Sequence, residues 1–109
     1  MAFNDIKRLS TAAQQVASAA AAIYTAPAGK RAQIGSIILH NTNVTPEIVS
    51  IYDNGTSSAN RLVYIVLSSG ETYELAPKVP IVLDGSETLQ ASTTTASKVN
   101  IKIYGREEA

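Results

Sequence analysis

Between Ile23 and Asn43 the chain reads IYTAPAGKRAQIGSIILHNTN. A short apolar run (Ile23, Tyr24) meets a Pro27-Ala28-Gly29 turn and the Lys30-Arg31 pair. A run rich in β-branched residues, Ile34 to Leu39, follows, and His40-Asn41-Thr42-Asn43 stops it. β-Branched side chains fit a pleated surface and lose freedom in a helix, while Pro and Gly break the chain between such runs. The plainest expectation is two extended segments joined by a tight turn. Everything downstream repeats that pattern of short strand, Gly or Pro punctuation, short strand. It confines the chain to the all-β class.

From residue 32 the period is two. Ala32 to Leu39 turns apolar on both parities toward its end, as in a strand covered on both faces. Pro46 opens a strand over Glu47–Tyr52, and Asp53-Asn54-Gly55 reverses the chain, because Asn and Gly tolerate positive φ. Leu62 to Leu67 is again apolar on both parities. Ser68-Ser69-Gly70 turns into a short strand, Thr72–Leu75, and Pro77 and Pro80 bracket a kinked connection that suits an edge. Val79–Leu83, an Asp84-Gly85 turn, Glu87–Ser92 and a polar loop over 92–97 follow. In the last strand Val99, Ile101 and Ile103 face one way and Asn100, Lys102 and Tyr104 the other. Gly105 is expected to end it, with Arg106-Glu107-Glu108 as a solvated tail.

About eight strands with turn signals roughly every 8–12 residues predict a β-sandwich or jelly-roll-like domain over 20–109. An arm over 1–19 precedes it. Thr11-Ala12-Ala13-Gln14 has capping-box spacing and an Ala-rich run behind it, which favours helix. Yet Ser10 to Ala22 has only Leu9 and Val16 as large aliphatic neighbours, too few for a packing stripe. The arm is therefore expected to be extended, with a helical stretch as the alternative. Ser69-Gly70-Glu71-Thr72 and Gly85-Ser86-Glu87-Thr88 echo one another and read as one hairpin chemistry used twice.

Composition narrows the chemistry. The 109 residues suit one domain, and a hydrophobic share of 45% argues against disorder. Nine Lys and Arg balance nine Asp and Glu, so no global field draws the chain to nucleic acid or to a membrane surface. Without cysteine, disulfides, thiolate nucleophiles and Cys-ligated metals are excluded. His40 is the only histidine, and no second His or Cys exists to complete a zinc site. The start MAFNDIKRLS lacks the apolar stretch of a signal peptide, and Ala19–Tyr24, the longest apolar block, is far short of the roughly 20 residues that span a bilayer. The expectation is a soluble, non-secreted protein, with Asn43-Val44-Thr45 and Asn54-Gly55-Thr56 as chance sequons.

Glu71 and Glu87 would form a carboxylate pair if the echoed turns met; the plainer reading has each bonding turn amides. No serine lies in a Gly-x-Ser-x-Gly elbow, and Gly29-Lys30-Arg31 lacks the upstream glycine of a phosphate loop. The basic residues do not interleave with aromatics as in a nucleic-acid platform. No catalytic, cofactor-binding or metal-binding residue is expected, and neither is an enzyme.

Three further stretches complete a family pattern: Leu67 to Leu75 (LSSGETYEL), Ile81 to Leu89 (IVLDGSETL) and Val99 to Gly105 (VNIKIYG). Together with Ile23–Asn43 they resemble small β-sandwich virion proteins of tailed bacteriophages, of the head decoration (cement) or tail accessory type. The resemblance runs over roughly residues 20–105, and the Ala-rich 12–22 segment departs from it. It implies a structural virion protein, made in the host cytoplasm, most specifically a decoration subunit that stabilises the head by bridging major capsid proteins. It also implies self-association, as a homotrimer; the arm lies outside the resemblance, and its apolar residues Phe3, Ile6 and Leu9 are the ones expected to dock on a partner. No catalytic residue carries over. A tail, baseplate or host-surface-binding component is the alternative, and a glycan-binding sandwich the third reading.

Overall fold

Among the described residues the period-two segments become nine strands: β1 (Lys7–Arg8), β2 (Ala21–Thr25), β3 (Ala32–Asn41), β4 (Glu47–Asp53), β5 (Arg61–Leu67), β6 (Thr72–Leu75), β7 (Ile81–Leu83), β8 (Thr88–Thr93) and β9 (Val99–Glu107). A single 3-10 turn, Ser58–Asn60, precedes β5. The computed structural model describes residues 5–108. Within them the strands make two antiparallel sheets, one ordered β1-β9-β3-β6 with β7 also on β3, the other β2-β8-β4-β5. The strand beyond the expected eight is β1, two residues long and too short to leave a sequence pattern.

The pairings are nested. Hairpin β4·β5 is the innermost, then β3·β6 and β3·β7, then β2·β8, then β1·β9. Two further pairings, β3·β9 and β4·β8, join these hairpins laterally into the two sheets. Ile34, Ile37 and Leu39 of β3 and Ile101 and Ile103 of β9 meet Val49, Ile51, Leu67 and Leu89 of the other sheet in one buried cluster. Burying each such side chain contributes about 1.5–3 kcal/mol. Alternation places their neighbours His40, Asn100, Lys102 and Tyr104 on the outward face.

Two expectations change. Residues 23–43 are not a hairpin: β2 and β3 belong to different sheets, and the turn closed by Lys30 N–H to the Pro27 carbonyl (3.1 Å) carries the chain across. A turn signal marks where direction changes, not which strand receives the chain. The C-terminal tail is not solvated, because β9 runs on through Arg106 and Glu107, paired with Gln33 and Ala32. The arm's helical alternative does not form in its described part. Gln14 does return to cap the Thr11 N–H through Oε1 (3.2 Å), but only one turn forms. The following backbone pairs with β9 instead: Val16 N–H bonds the Val99 carbonyl (2.9 Å), and Ile101 N–H bonds that of Gln14 (3.1 Å). A methyl-lined helix has no stripe to bury, whereas this path delivers Val16 fully into the core.

The echoed motif is one turn used twice, as a crossing between sheets and not as a hairpin. In each, a glutamate carboxylate accepts the N–H three residues earlier: Ser68 to Glu71 (2.7 Å) and Asp84 to Glu87 (2.8 Å). The third residue has positive φ in both, Gly70 at 74° and Ser86 at 71°. Glu71 lies beside Asn41 at one end of β3, and Glu87 beside Ala26, before its other end. The two carboxylates therefore do not pair.

Candidate functional site

On β3 the register shifts between Ile34 and Ser36, and Gly35 projects no side chain there. Gly105 lies opposite on β9. Gly35 and Gly105 line a hollow of about 260 Å³ on the outward face of the larger sheet, with Tyr104, Pro80 and Ile6 among its walls. Tyr104 also borders a second depression, of about 410 Å³, lined by Ile38, His40, Thr72, Asn100 and Lys102. Pairing across the strands explains the chemistry there. Ile38 sits between Glu74 and Lys102, and His40 between Thr72 and Asn100. His40 Nδ1 is 2.8 Å from the Thr72 hydroxyl, and Asn100 Oδ1 accepts the Gln15 amide (3.0 Å). The result is a trough with an aromatic centre, an apolar end and a polar end.

Of the three residues expected to dock a partner, Ile6 is 65% exposed at the hollow. Leu9 packs against the core of its own chain, its N–H bonded to the Ile103 carbonyl (2.8 Å). Phe3 lies outside the described residues. The segment around Ile6 and Leu9 is held by Glu107, which sequence reasoning left in a tail. Lys7 Nζ lies 2.7 Å from Glu107 Oε1, and the Tyr24 hydroxyl donates to Oε2, so one carboxylate joins β1, β2 and β9. Lys7 first, and then Tyr24, hold the Glu107 carboxyl below its ordinary range. Burial, reinforced by Glu107, pushes the Tyr24 phenol well above its own. Glu107→Gln should lower stability by about 1 kcal/mol, a modest figure because Lys7 is half in water. Amide exchange at Leu9 should speed up roughly fivefold, read by NMR, as the β1 end opens locally.

The second outward face differs in kind. Leu62, Tyr64 and Val66 of β5 are 47, 58 and 59% exposed, and Ile48 of β4, paired with Val66, is 38% exposed. The Arg61 guanidinium stands 4.9 Å from the centre of the Tyr64 ring and 5.7 Å from that of Tyr52. This stripe was legible as apolarity on both parities of Leu62–Leu67; only the fold shows which parity is bare. Among the described residues no buried side-chain nitrogen or oxygen lacks a partner, and no three His, Asp or Glu side chains are grouped to hold a metal. No helix among them is long and apolar enough to cross a membrane. A scan against protein-family models found no match to this chain, and a search of curated proteins found none.

Proposed function

We propose that this chain is a structural virion protein of the tailed-bacteriophage type, specifically a non-enzymatic capsid decoration subunit that bridges its neighbours. The observation that carries this reading is the presence of bare apolar surface on both outward faces. Ile6 and its hollow lie on one sheet, and the Ile48, Leu62, Tyr64 and Val66 stripe lies on the other. Apolar clusters of this kind mark contact surfaces, and one on each face suits a subunit touching two neighbours at once. Surface buried only in the assembled state stabilises the assembly by mass action. The resemblance over residues 20–105 supplies the virion context, and the major capsid protein is the partner assigned to the Ile6 face.

For the fold we infer a jelly-roll-like β-sandwich. A long ribbon of nested hairpins with its tip at β4–β5, rolled up, gives the orders β1-β9-β3-β6 and β2-β8-β4-β5, with β7 as an addition beside β3. Jelly rolls serve capsids and lectins alike, so the fold by itself does not choose between them. The chain has no Trp to stack on a sugar ring, and its apolar surfaces favour assembly.

The purified chain should co-sediment with capsids of the encoding phage that lack it, and should appear on the head by electron microscopy. Ile6→Asp should weaken that binding roughly tenfold or more. Its circular dichroism should not change, since Ile6 is exposed. Failure to bind heads, or label confined to the tail, overturns the decoration role.

A further inference from the structure

β5 has the composition of a strand covered on both faces, and its own chain covers one. Val63, Ile65 and Leu67 turn inward, while Leu62, Tyr64 and Val66 turn out. β5 is also the last strand of its sheet, so every second residue directs its N–H and C=O away from β4 with no strand among the described residues to receive them. The opposite edge of the same sheet is protected. β2 is bulged between Ala22 and Tyr24, and its Ile23 carbonyl accepts the Gln14 amide (3.3 Å). Bulges and capped carbonyls discourage strand addition, whereas a regular apolar edge invites it. β5 has a bulge of its own only near its start, at Leu62, and is regular from Val63 to Leu67.

We propose that the occupant of this edge is β5 of a second copy, added antiparallel about a two-fold axis at Tyr64. The strand is complementary to itself. With Tyr64 opposite its own copy, Val63 meets Ile65 and Leu62 meets Val66, so outward side chains meet outward ones and inward meet inward. Charge agrees. Arg61 is the strand's only ionised residue, and the antiparallel register sends the two copies of it to opposite ends of the paired segment. Formal net charge is zero, so the two chains do not repel as a whole. The Tyr64 ring at the axis is already held by Arg61, so little side-chain freedom is lost on pairing.

The area sets the strength. The three exposed side chains of β5 offer on the order of a few hundred Å² at most, against the roughly 800 Å² per partner of a standard interface. Backbone bonding along the edge adds to this, and the outcome is a reversible dimer that responds to concentration. A homotrimer, the stoichiometry implied by the family resemblance, needs a contact in which β5 meets a different surface of the next copy. The two-fold contact does not depend on a virion role.

Sedimentation equilibrium of the full chain between about 1 and 200 μM should show the mass rising from 11.5 kDa toward twice that value. Tyr64→Lys alone and Tyr64→Glu alone should both be monomeric throughout, because like charges would meet at the axis. Mixed in equal amounts, they should recover the dimer. If either variant fails to fold by circular dichroism, Leu62→Lys mixed with Val66→Glu makes the same test, since those positions face one another. A trimer as the smallest assembly, a monomer at every concentration, or a wild-type dimer whose charge-swapped mixture stays monomeric overturns the proposal.

Discussion

Gly105→Ala is expected to destabilise the protein by about 3 kcal/mol or more, lowering Tm by roughly 10–20 °C. Gly105 sits in the middle of the larger sheet, opposite Ile34 on one side and Lys7 on the other. A Cβ there would be driven into the Gln33 carbonyl oxygen, and would lie 3.0 Å from both the Gln33 carbonyl carbon and the Ile34 Cα. All of these are backbone atoms inside a ladder, so no rotamer change relieves the clash. β3 and β9 would have to separate where the Glu107 carboxylate also ties β1 and β2. Gly35→Ala is the internal control. It lies across the same hollow with nothing within 4 Å of an added Cβ, and should change stability by less than about 1 kcal/mol. Thermal unfolding followed by circular dichroism separates the two. Equal losses would mean that the β3–β9 spacing is not the constraint.

Glu47→Ala is expected to cost about 2–4 kcal/mol, the range for removing one partner from a buried charged hydrogen-bond set. Glu47 is 1% exposed at the start of β4. Its Oε2 accepts the Asn43 amide (3.0 Å), and its Oε1 accepts the Thr95 N–H (2.8 Å). These bonds fasten the β3–β4 loop to the β8–β9 loop. Burial alone would raise the carboxyl pKa, but Asn43, Thr95 and Lys98 together bring it below the ordinary range. Folding thus favours the ionised form. The stabilisation is complete above the unfolded value of about 4.3 and is lost as pH falls through the lower folded value. Glu107 is lowered too and contributes with the same sign. Urea midpoints should therefore fall from pH 7 to pH 3. Glu47→Gln should flatten that fall, and should cost about 1–3 kcal/mol at pH 7 because its amide would present a donor where the carboxylate accepts one. An unchanged pH slope in Glu47→Gln would place the acid sensitivity elsewhere.

Gly105 and Glu47 also mark where sequence reasoning stops. A glycine after an alternating strand reads as a terminator, and nothing local says that a neighbouring backbone needs its missing side chain. Nothing local says that the glutamate after Pro46 is buried, because one of its two donors, Thr95, lies 48 residues away. Ile6 and Leu9 look equivalent in the arm, yet one stands at a hollow and the other packs on the core, a difference set by β9. By contrast, the echoed Glu71 and Glu87 turns were legible in their chemistry, because every group involved lies within four residues.

Periodicity and turn residues determined the all-β class and the approximate strands, since alternation and positive-φ preferences act over a few residues. They also showed that Leu62–Leu67 has two apolar faces. The fold alone decided that Ile23–Asn43 crosses between sheets, that Val16 joins the core, and that one face of β5 stays bare. Those outcomes depend on which strands pair, and pairs such as Lys7 with Gly105 join residues almost a chain length apart. Any turn of the right handedness serves a hairpin or a crossing equally well. Only burying both sheets' apolar faces in one core distinguishes them.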